Sequence, residues 1–400
     1  MPTLRPSAPS TSYERSDPAR TFALQRKMWQ RLRSGALKQH SQRHRGAPQL
    51  WDHGVVPGED GVVVDLRQVA AVSGVSLSTA SRALSGSGRV SDATRQRVRR
   101  VAEDLGYRPN ALARGLRTSH SRLIGLVVTN LVNASFHAIA EVVHNRLKLS
   151  GYRLVLCITG GDVEEERAYV ETLRDHNVDG VIVVGSDDTA VEQLRATGIP
   201  AVHLARQPRH PAGDCVLGAD LEGAREATRY LLGLSHRRIA VVAGPSTVTS
   251  GSERLAGYRL AMDEARVPCR DELIFQGPLE PASGVQAVAR LLALPARRRP
   301  TAVLVTNHES AFGLLPALRE RRVRIPDDLS VLCYEDADLL RWWDPAITVM
   351  NNNAARMGEL AVNILLERIA AKPGADGAMW TEYRVGAQLV VRDSCAVAES

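Results

Sequence analysis

The sequence predicts an α/β protein with an N-terminal three-helix helix-turn-helix domain, a short hinge helix and a two-lobed core built on parallel sheets. Three observations carry that prediction. The stretch Leu66–Thr118 has the caps, the corner glycine and the small crossing residue that a helix-turn-helix needs, with a third helix behind it. From Ser121 onward, apolar strand-length runs alternate with helix-length runs, which implies right-handed crossovers and parallel pairing. The alternation comes in two sets separated near Asp220, and two sets imply two lobes. A helix-turn-helix ahead of such a core is the layout of a ligand-controlled DNA-binding protein.

In the first domain, Asp65 can cap a helix whose inner face carries Leu66, Val69 and Ala70. Ala70 is small enough for two helices to cross closely, and Gly74 can take the positive φ of the corner that Val75 fills. Ser76 can cap a second helix running to about Leu84, with Ala80, Ala83 and Leu84 inward. Leu77, Ser78, Thr79, Ser81 and Arg82 are left on the outer face, the one that would enter a major groove. A third helix is expected over Val90–Tyr107, capped by Ser91, with Val98, Val101, Ala102 and Leu105 inward and Gly106 as its stop. Pro109 and Asn110 then open a helix of about two turns, too short to be stable alone in water. DNA and a partner chain would have to stabilise it.

In the core, the first set of elements reads as strand Arg122–Thr129, helix Phe136–Ser150, strand Tyr152–Ile158, helix Glu164–Asn177, strand Gly180–Val184, helix Ala190–Thr197 and strand Ala201–Leu204. The second set starts with helix Glu222–Leu234, strand Arg238–Val242, helix Gly251–Ala265 and strand Glu272–Gln276. It continues with helix Ser283–Leu292, strand Ala302–Thr306, helix His308–Arg321 and strand Ser330–Tyr334. Ligands of open α/β sheets sit at the carboxyl ends of strands, so the cleft between the lobes is the expected pocket.

Charge separates the chain into zones. The first 119 residues hold twenty Lys and Arg against nine Asp and Glu, a net +11, and the remainder holds 31 against 35, a net −4. The basic charge therefore sits on and before the helix-turn-helix, where phosphate neutralisation would use it. Residues 1–61 are rich in Ser, Pro, Arg and Gln with little periodicity, and a disordered basic tail is expected there. An equal alternative is a natural start near Val62–Val64, with the upstream residues belonging to an over-extended reading frame. No apolar run approaches a membrane span and no secretory apolar region opens the chain, so a cytoplasmic protein without membrane contact is expected. Cys157, Cys215, Cys269, Cys333 and Cys395 are far apart, with no zinc spacing. No metal and no cofactor are expected. Neither a nucleophile elbow, a Gly-rich phosphate loop nor a catalytic carboxylate pair stands out, so an enzyme is not expected.

The chain resembles the LacI/GalR family of bacterial transcription regulators from about Val62 to Ala396. The motifs VAAVSGVSLSTASRAL and LGYRPNALARGLRT carry the resemblance most specifically. IGLVVTN, VDGVIV, HRRIAVVAGP, SERLAGYRLAM, RIPDDLSVLCYED and DPAITVM follow in the family's order. The resemblance implies a homodimer that binds a near-palindromic double-stranded operator, with a two-lobed core, similar to periplasmic binding proteins, that answers to a small-molecule effector. The implied division is helix-turn-helix 62–108, hinge helix 109–119 and effector and dimerisation core 120–396. Within the core the first lobe would take 120–218 and 349–372, and the second 219–348 and 373–396.

The resemblance also places roles. Leu77, Ser78 and Arg82 match base-reading positions, with Arg suited to guanine and Leu to a thymine methyl. Leu116 matches a minor-groove wedge, and Asn110, Ala113 and Arg114 share its hinge segment. The effector would touch Phe136, Arg206, Asp220, Arg254, Asn307, His308 and Glu335. Here the chain departs from the family. Ser135 removes an aromatic ring, Ala205-Arg206 stands for Asp-Arg, and Asp220-Leu221 for Asp-Asn. Asn307-His308 stands for Asn-Asp, Tyr334-Glu335-Asp336 for Phe-Asp-Asp, and Asn352 for a Gln. A repressor controlled by a sugar or related metabolite is the implied function. A regulator answering to a nucleoside or similar ligand, and a solute-binding protein, are the alternatives. There is no leucine-heptad tail, which favours a dimer over a tetramer.

Overall fold

The computed structural model describes residues 64–85, 88–107, 120–185, 188–207, 213–371 and 380–398. The chain divides into two compact units, one ending at Tyr107 and one beginning at Arg108. The tail expected over 1–61 and the hinge helix expected over 109–119 lie outside the described residues.

In the first unit, helix α1 (Leu66–Val72) starts at a capping box. The Asp65 carboxylate accepts the Gln68 amide at 2.9 Å, and the Gln68 side chain accepts the Asp65 amide at 2.9 Å. Gly74 turns the corner at φ +64. Helix α2 (Leu77–Ser85) begins where the Ser76 hydroxyl accepts the Thr79 amide at 3.2 Å. Helix α3 is Asp92–Asp104, shorter at both ends than the expected Val90–Tyr107. Ser91 caps its first turn, and Gly106 at φ +67 follows its end. Val69, Ala70, Ala80, Ala83, Val98 and Ala102 form the buried core, and the four alanines let the helices approach closely.

The second unit holds two six-stranded sheets. Its first lobe runs β1 (Leu123–Val128), α4 (Ala134–Leu149), β2 (Arg153–Ile158), α5 (Val163–Asp175), β3 (Gly180–Val183), α6 (Asp188–Ala196), β4 (Ala201–Leu204) and β5 (Asp214–Gly218). The second lobe runs α7 (Asp220–Gly233), β6 (Ile239–Ala243), α8 (Thr249–Glu264), β7 (Ile274–Gln276) and α9 (Pro281–Ala293). It continues through β8 (Ala302–Val305), α10 (His308–Glu320), β9 (Ser330–Tyr334), α11 (Asp338–Trp342) and β10 (Thr348–Asn351). The chain then forms α12 (Ala354–Ala370), β11 (Glu382–Val385) and β12 (Gln388–Val390). Strand order is β11-β5-β4-β3-β1-β2 in one sheet and β12-β10-β9-β8-β6-β7 in the other. All pairings are parallel except β12 against β10. Each sheet is covered on both faces, which is why strands such as β3, β6 and β9 are buried along their whole length.

The expected lobe allocation is corrected at two places. Thr348–Asn351, assigned mostly to the first lobe, extends the second sheet beside β9. Glu382–Val385, assigned to the second lobe, returns to the first sheet beside β5. Both edges gain a paired strand, which satisfies backbone groups of β9 and β5 that would otherwise need other partners. The chain thus crosses between lobes three times, at 218–220, 351–354 and 385–388. α12 packs in the first lobe, with Met357, Ala361 and Leu365 joining Ile139 and Val143 of α4.

Close helix packing in the second lobe depends on glycine. A Cβ at Gly313 of α10 would collide with the Pro281 carbonyl at the start of α9, and one at Gly284 of α9 with the Ser310 carbonyl. Gly313→Val is expected to lower stability by on the order of 1–3 kcal/mol. Gly233→Ala, with nothing within 4 Å of its Cβ, should leave stability unchanged or raise it. Urea unfolding of the two variants checks the contrast.

Candidate functional site

Two places in the fold gather exposed or unspent polar chemistry. The first is the outer face of α2, where Leu77, Ser78 and Arg82 are exposed and Thr79 and Ser81 half-buried. The Ser76 hydroxyl lies 3.0 Å from that of Ser78 and 2.8 Å from that of Thr79, so the start of the helix is ordered before anything binds it. Leu77 is an apolar side chain 47% exposed at the first position of the helix, where a methyl-bearing base edge would cover it. Asn110, Ala113, Arg114 and Leu116 lie outside the described residues.

The second place is a cavity of about 200 Å³ at the carboxyl ends of the strands of both lobes. From the first lobe it is lined by Thr129 and Asn130 after β1, Asn133, Ser135 and Phe136 at the start of α4, and Arg206 after β4. From the second lobe come Asp220 at the start of α7, Arg254 of α8, Asn307 and Glu309 around the start of α10, and Glu335 after β9. Asn352 lines it from the second crossing. Phe136, Arg206, Asp220, Arg254, Asn307 and Glu335 therefore converge as their positions in the sequence predict. His308 does not: it is 0% exposed and sits behind the wall.

Arg254 organises the second-lobe wall. It is 6% exposed, and its Nε donates to Asp220 at 2.9 Å. Its Nη1 donates to the Thr306 carbonyl at 2.6 Å and to Glu335 at 2.8 Å. The guanidinium carbon lies 4.1 Å from the centre of the Tyr334 ring. Burial would pull the guanidinium's pKa down, but the carboxylates of Asp220 and Glu335 drive it up. Burial would likewise raise Glu335, yet Arg254 and His308 hold it at about 2. Glu335 adopts φ +73 to reach both partners, a conformation that costs a non-glycine residue free energy.

Arg206 is different. Ala205 at φ +61 makes a three-residue turn in which the Arg206 amide donates to Leu204 at 2.7 Å, and this turn sends Arg206 to the cavity. Among the described residues its guanidinium has no hydrogen-bonded or ion-paired partner. Burial lowers its pKa, with Glu166 and Glu309 offsetting part of the effect. Two further groups are unspent. Asn307 gives its Oδ1 to the Ser310 amide at 2.7 Å as the cap of α10, while its buried Nδ2 has no partner among the described residues. The buried Thr129 hydroxyl also has none.

Contacts tie the lobes on the side of α4. Asn133 Nδ2 donates to Glu309 at 2.9 Å, and the Ala134 amide donates to His308 Nε2 at 3.1 Å. Asn352 Nδ2 lies 3.4 Å from the Ser135 hydroxyl. Asn130, Asn133 and Glu309 were not among the expected contacts. Asn133 had a legible signal, since it precedes α4 as a cap, but nothing in one sequence shows which residues face it from another lobe.

A helix-turn-helix with an outward polar face, together with a two-lobed core holding a polar cleft, defines a ligand-controlled DNA-binding regulator. Residues 65–110 match the model of bacterial regulatory proteins of the lacI family, and residues 228–395 match a periplasmic binding protein-like domain. The HTH-type transcriptional repressor PurR of Vibrio atlanticus is 34% identical over 312 residues, 77% of this chain and 92% of that protein. Among solved structures, a transcriptional regulator CelR–cellobiose complex is 30% identical with a TM-score of 0.62, over 83% of this chain and 99% of that one. The lac repressor dimer bound to operator and the anti-inducer ONPF is 27% identical with a TM-score of 0.73 and the same coverage. The chain belongs to the LacI family, and it is a DNA-binding transcription regulator.

Glu335 sets a pH dependence. Its folded pKa is depressed, so its contribution to stability is complete above the ordinary carboxylate value of 4.5 and is lost as pH falls toward about 2. Glu335→Gln is expected to cost on the order of 3 kcal/mol at neutral pH, because it removes one of the two carboxylates that pair with Arg254. It should also flatten the acid limb of the stability curve. Denaturant unfolding across an acid series measures both, and parallel acid limbs in the variant and the wild type would remove the assignment.

Proposed function

We propose that the core binds a small polyhydroxylated effector, a monosaccharide or a metabolite of that size and polarity, between its two lobes. The observation that carries the reading is the set of donors facing one cavity from opposite lobes: the buried Thr129 hydroxyl from the first and the buried Asn307 Nδ2 from the second, neither with a partner among the described residues, and the half-buried Arg206 beside them from the first. Buried donors are satisfied in native structures, and a ligand rich in hydroxyl oxygens would satisfy these. The volume of about 200 Å³ falls below the roughly 300–1,000 Å³ of pockets for larger ligands. Among the described residues Phe136 is the one aromatic ring lining the cavity, so no pair of rings among them sandwiches a flat base. This favours a sugar over a nucleoside. Phe136, Arg206, Asn307 and Glu309 are the proposed direct contacts, with Asp220, Arg254 and Glu335 as the charged wall that holds their geometry.

On this reading the protein is a cytoplasmic repressor without catalytic activity, acting as a homodimer on a near-palindromic operator. Leu156 and Ile158 on the edge strand β2 are exposed and apolar, a surface that a second copy would cover. Leu77, Ser78 and Arg82 would read base edges, with Thr79 and Ser81 beside them, and Asn110, Ala113, Arg114 and Leu116 would act from the hinge segment. Residues 1–61 would add only salt-sensitive affinity.

Asn307→Ser tests the effector site cleanly, because serine keeps the helix cap and removes the Nδ2 donor. A panel of pentoses and hexoses screened by thermal shift on the full chain identifies the ligand. The variant should then bind it about tenfold more weakly, the value of one buried hydrogen bond, with unchanged thermal stability. Undiminished affinity by titration calorimetry would move the pocket elsewhere.

Arg82→Ala tests the DNA face. With an operator selected from random-sequence DNA, the variant should lose discrimination at one position in each half-site, by about 1–3 kcal/mol. Competition binding at fixed salt reads this directly. A uniform loss at every position would instead make Arg82 a phosphate contact.

A further inference from the structure

His308 stands where the family pattern has a carboxylate at the ligand, yet its ring is 0% exposed and does not line the cavity. Both ring nitrogens are spent, and they are spent on different lobes. Nδ1 lies 2.6 Å from Glu335 Oε2, within the second lobe. Nε2 accepts the Ala134 amide at 3.1 Å, from the first lobe. A helix leaves its first amides without intrahelical partners. In α4, Asn133 takes the amides of Ser135 and Phe136, and His308 takes that of Ala134. Ala134 also packs against the apolar core of the second lobe, so this contact is part of the seam between the lobes.

We propose that His308 couples the ligand cleft to the first lobe: its unprotonated Nε2 holds the Ala134 amide at the start of α4, and proton uptake by the imidazole releases it. The inference concerns the lobe contact itself and stands whether or not the effector is a sugar.

The geometry makes the two nitrogens compete. Only a neutral ring, with its hydrogen on Nδ1, can donate to Glu335 and accept from Ala134 together. Protonation turns Nε2 into a donor facing another donor at the positive end of a helix, which is repulsive. The same protonation strengthens the pair with Glu335. Proton uptake therefore trades a bond between lobes for an ion pair within one lobe, so the separated arrangement binds the proton more tightly. The groups that face the ring are Glu335 after β9, with Arg254 of α8 behind it, and Glu309 and Phe312 on α10, the latter ring edge-on at 5.4 Å. From the first lobe, Ala134 offers its amide, and the neighbouring Asn133 side chain is held by Glu309. Burial alone would lower the imidazole's pKa; the hydrogen bond and charge of Glu335, with Glu309, bring it above the ordinary histidine value of 6.5.

Residue-resolved hydrogen exchange of the Ala134 amide in the full chain tests this, each rate corrected for the intrinsic pH dependence of exchange. The wild type should lose Ala134 protection about tenfold between about pH 8 and pH 5. His308→Gln can still accept from Ala134 and donate to Glu335 but does not titrate, so its protection should stay constant over the series. His308→Phe keeps a ring beside Phe312 and loses both bonds, so its Ala134 amide should be unprotected at every pH. The Ser135 and Phe136 amides, held by Asn133, serve as the internal control for a folded α4. Equal Ala134 protection in wild type and His308→Phe would overturn the proposal, as would a wild-type profile that does not change with pH.

Discussion

A guanidinium buried among two carboxylates is the constraint from which the rest of the core's site follows. Arg254 cannot leave water without partners, since an unpaired buried charge costs several kcal/mol. Its partners arrive from three separate segments: Asp220 from the start of α7, Glu335 from the end of β9, and the Thr306 carbonyl from the end of β8. Satisfying one side chain therefore aligns the carboxyl end of the second sheet with the first crossing between lobes. An apolar cluster of equal volume would avoid the desolvation cost, but it would not dictate where each chain segment ends. The ion cluster does, and Glu335 gives up a relaxed backbone to join it.

With Arg254 spent on protein, the ligand chemistry proposed for the cleft would fall to groups that are not. Asn307 Nδ2 and the Thr129 hydroxyl are buried without a partner among the described residues, the half-buried Arg206 faces the same cavity, and the three come from both lobes. A ligand that answers them must touch both lobes, and its binding energy then depends on how far apart the lobes stand. Differential affinity for one arrangement is the thermodynamic condition for an effector to control a distant activity. On the proposed reading, the division between a satisfied wall and unsatisfied donors would make the cleft responsive as well as adhesive.

Much of this was legible in the sequence because local rules and burial agree. Asp65, Gly74 and Ser91 announce the ends of the first-unit helices through caps and a positive φ. The strands β1, β3, β6, β8 and β9 are continuous apolar runs, as buried parallel strands must be. What was missed has physical reasons. β5 begins at a charged residue, Asp214, and is fixed by pairing between β4 and β11, while β11 and β12 are edge strands of mixed polarity whose identity comes from the sheets they join. The lobe assignment of β10 and β11 is a matter of pairing across long separations, on which periodicity is silent. Among the site residues, those at strand ends could be placed by position. The contribution of Glu309 and the retreat of His308 depend on side-chain partners in another segment, and no local pattern encodes those.

The replacement at 308 and the one at 335 are best understood together. The family pattern places a carboxylate at each position. Here the carboxylate at 335 is one methylene longer, and it reaches Arg254 with one oxygen and His308 with the other. Two carboxylates so close to each other would repel, and only one could ionise easily. A histidine beside the longer carboxylate removes that conflict and supplies a donor for its second oxygen. It also frees a nitrogen on the far side of the ring, where a carboxylate has no equivalent, and the Ala134 amide occupies it. The carboxylate lost from 308 has a counterpart one residue on, in Glu309, which lines the cavity and takes Asn133 from the first lobe. Acidic character thus stays at the start of α10, while the helix gains two tethers to α4 through adjacent residues.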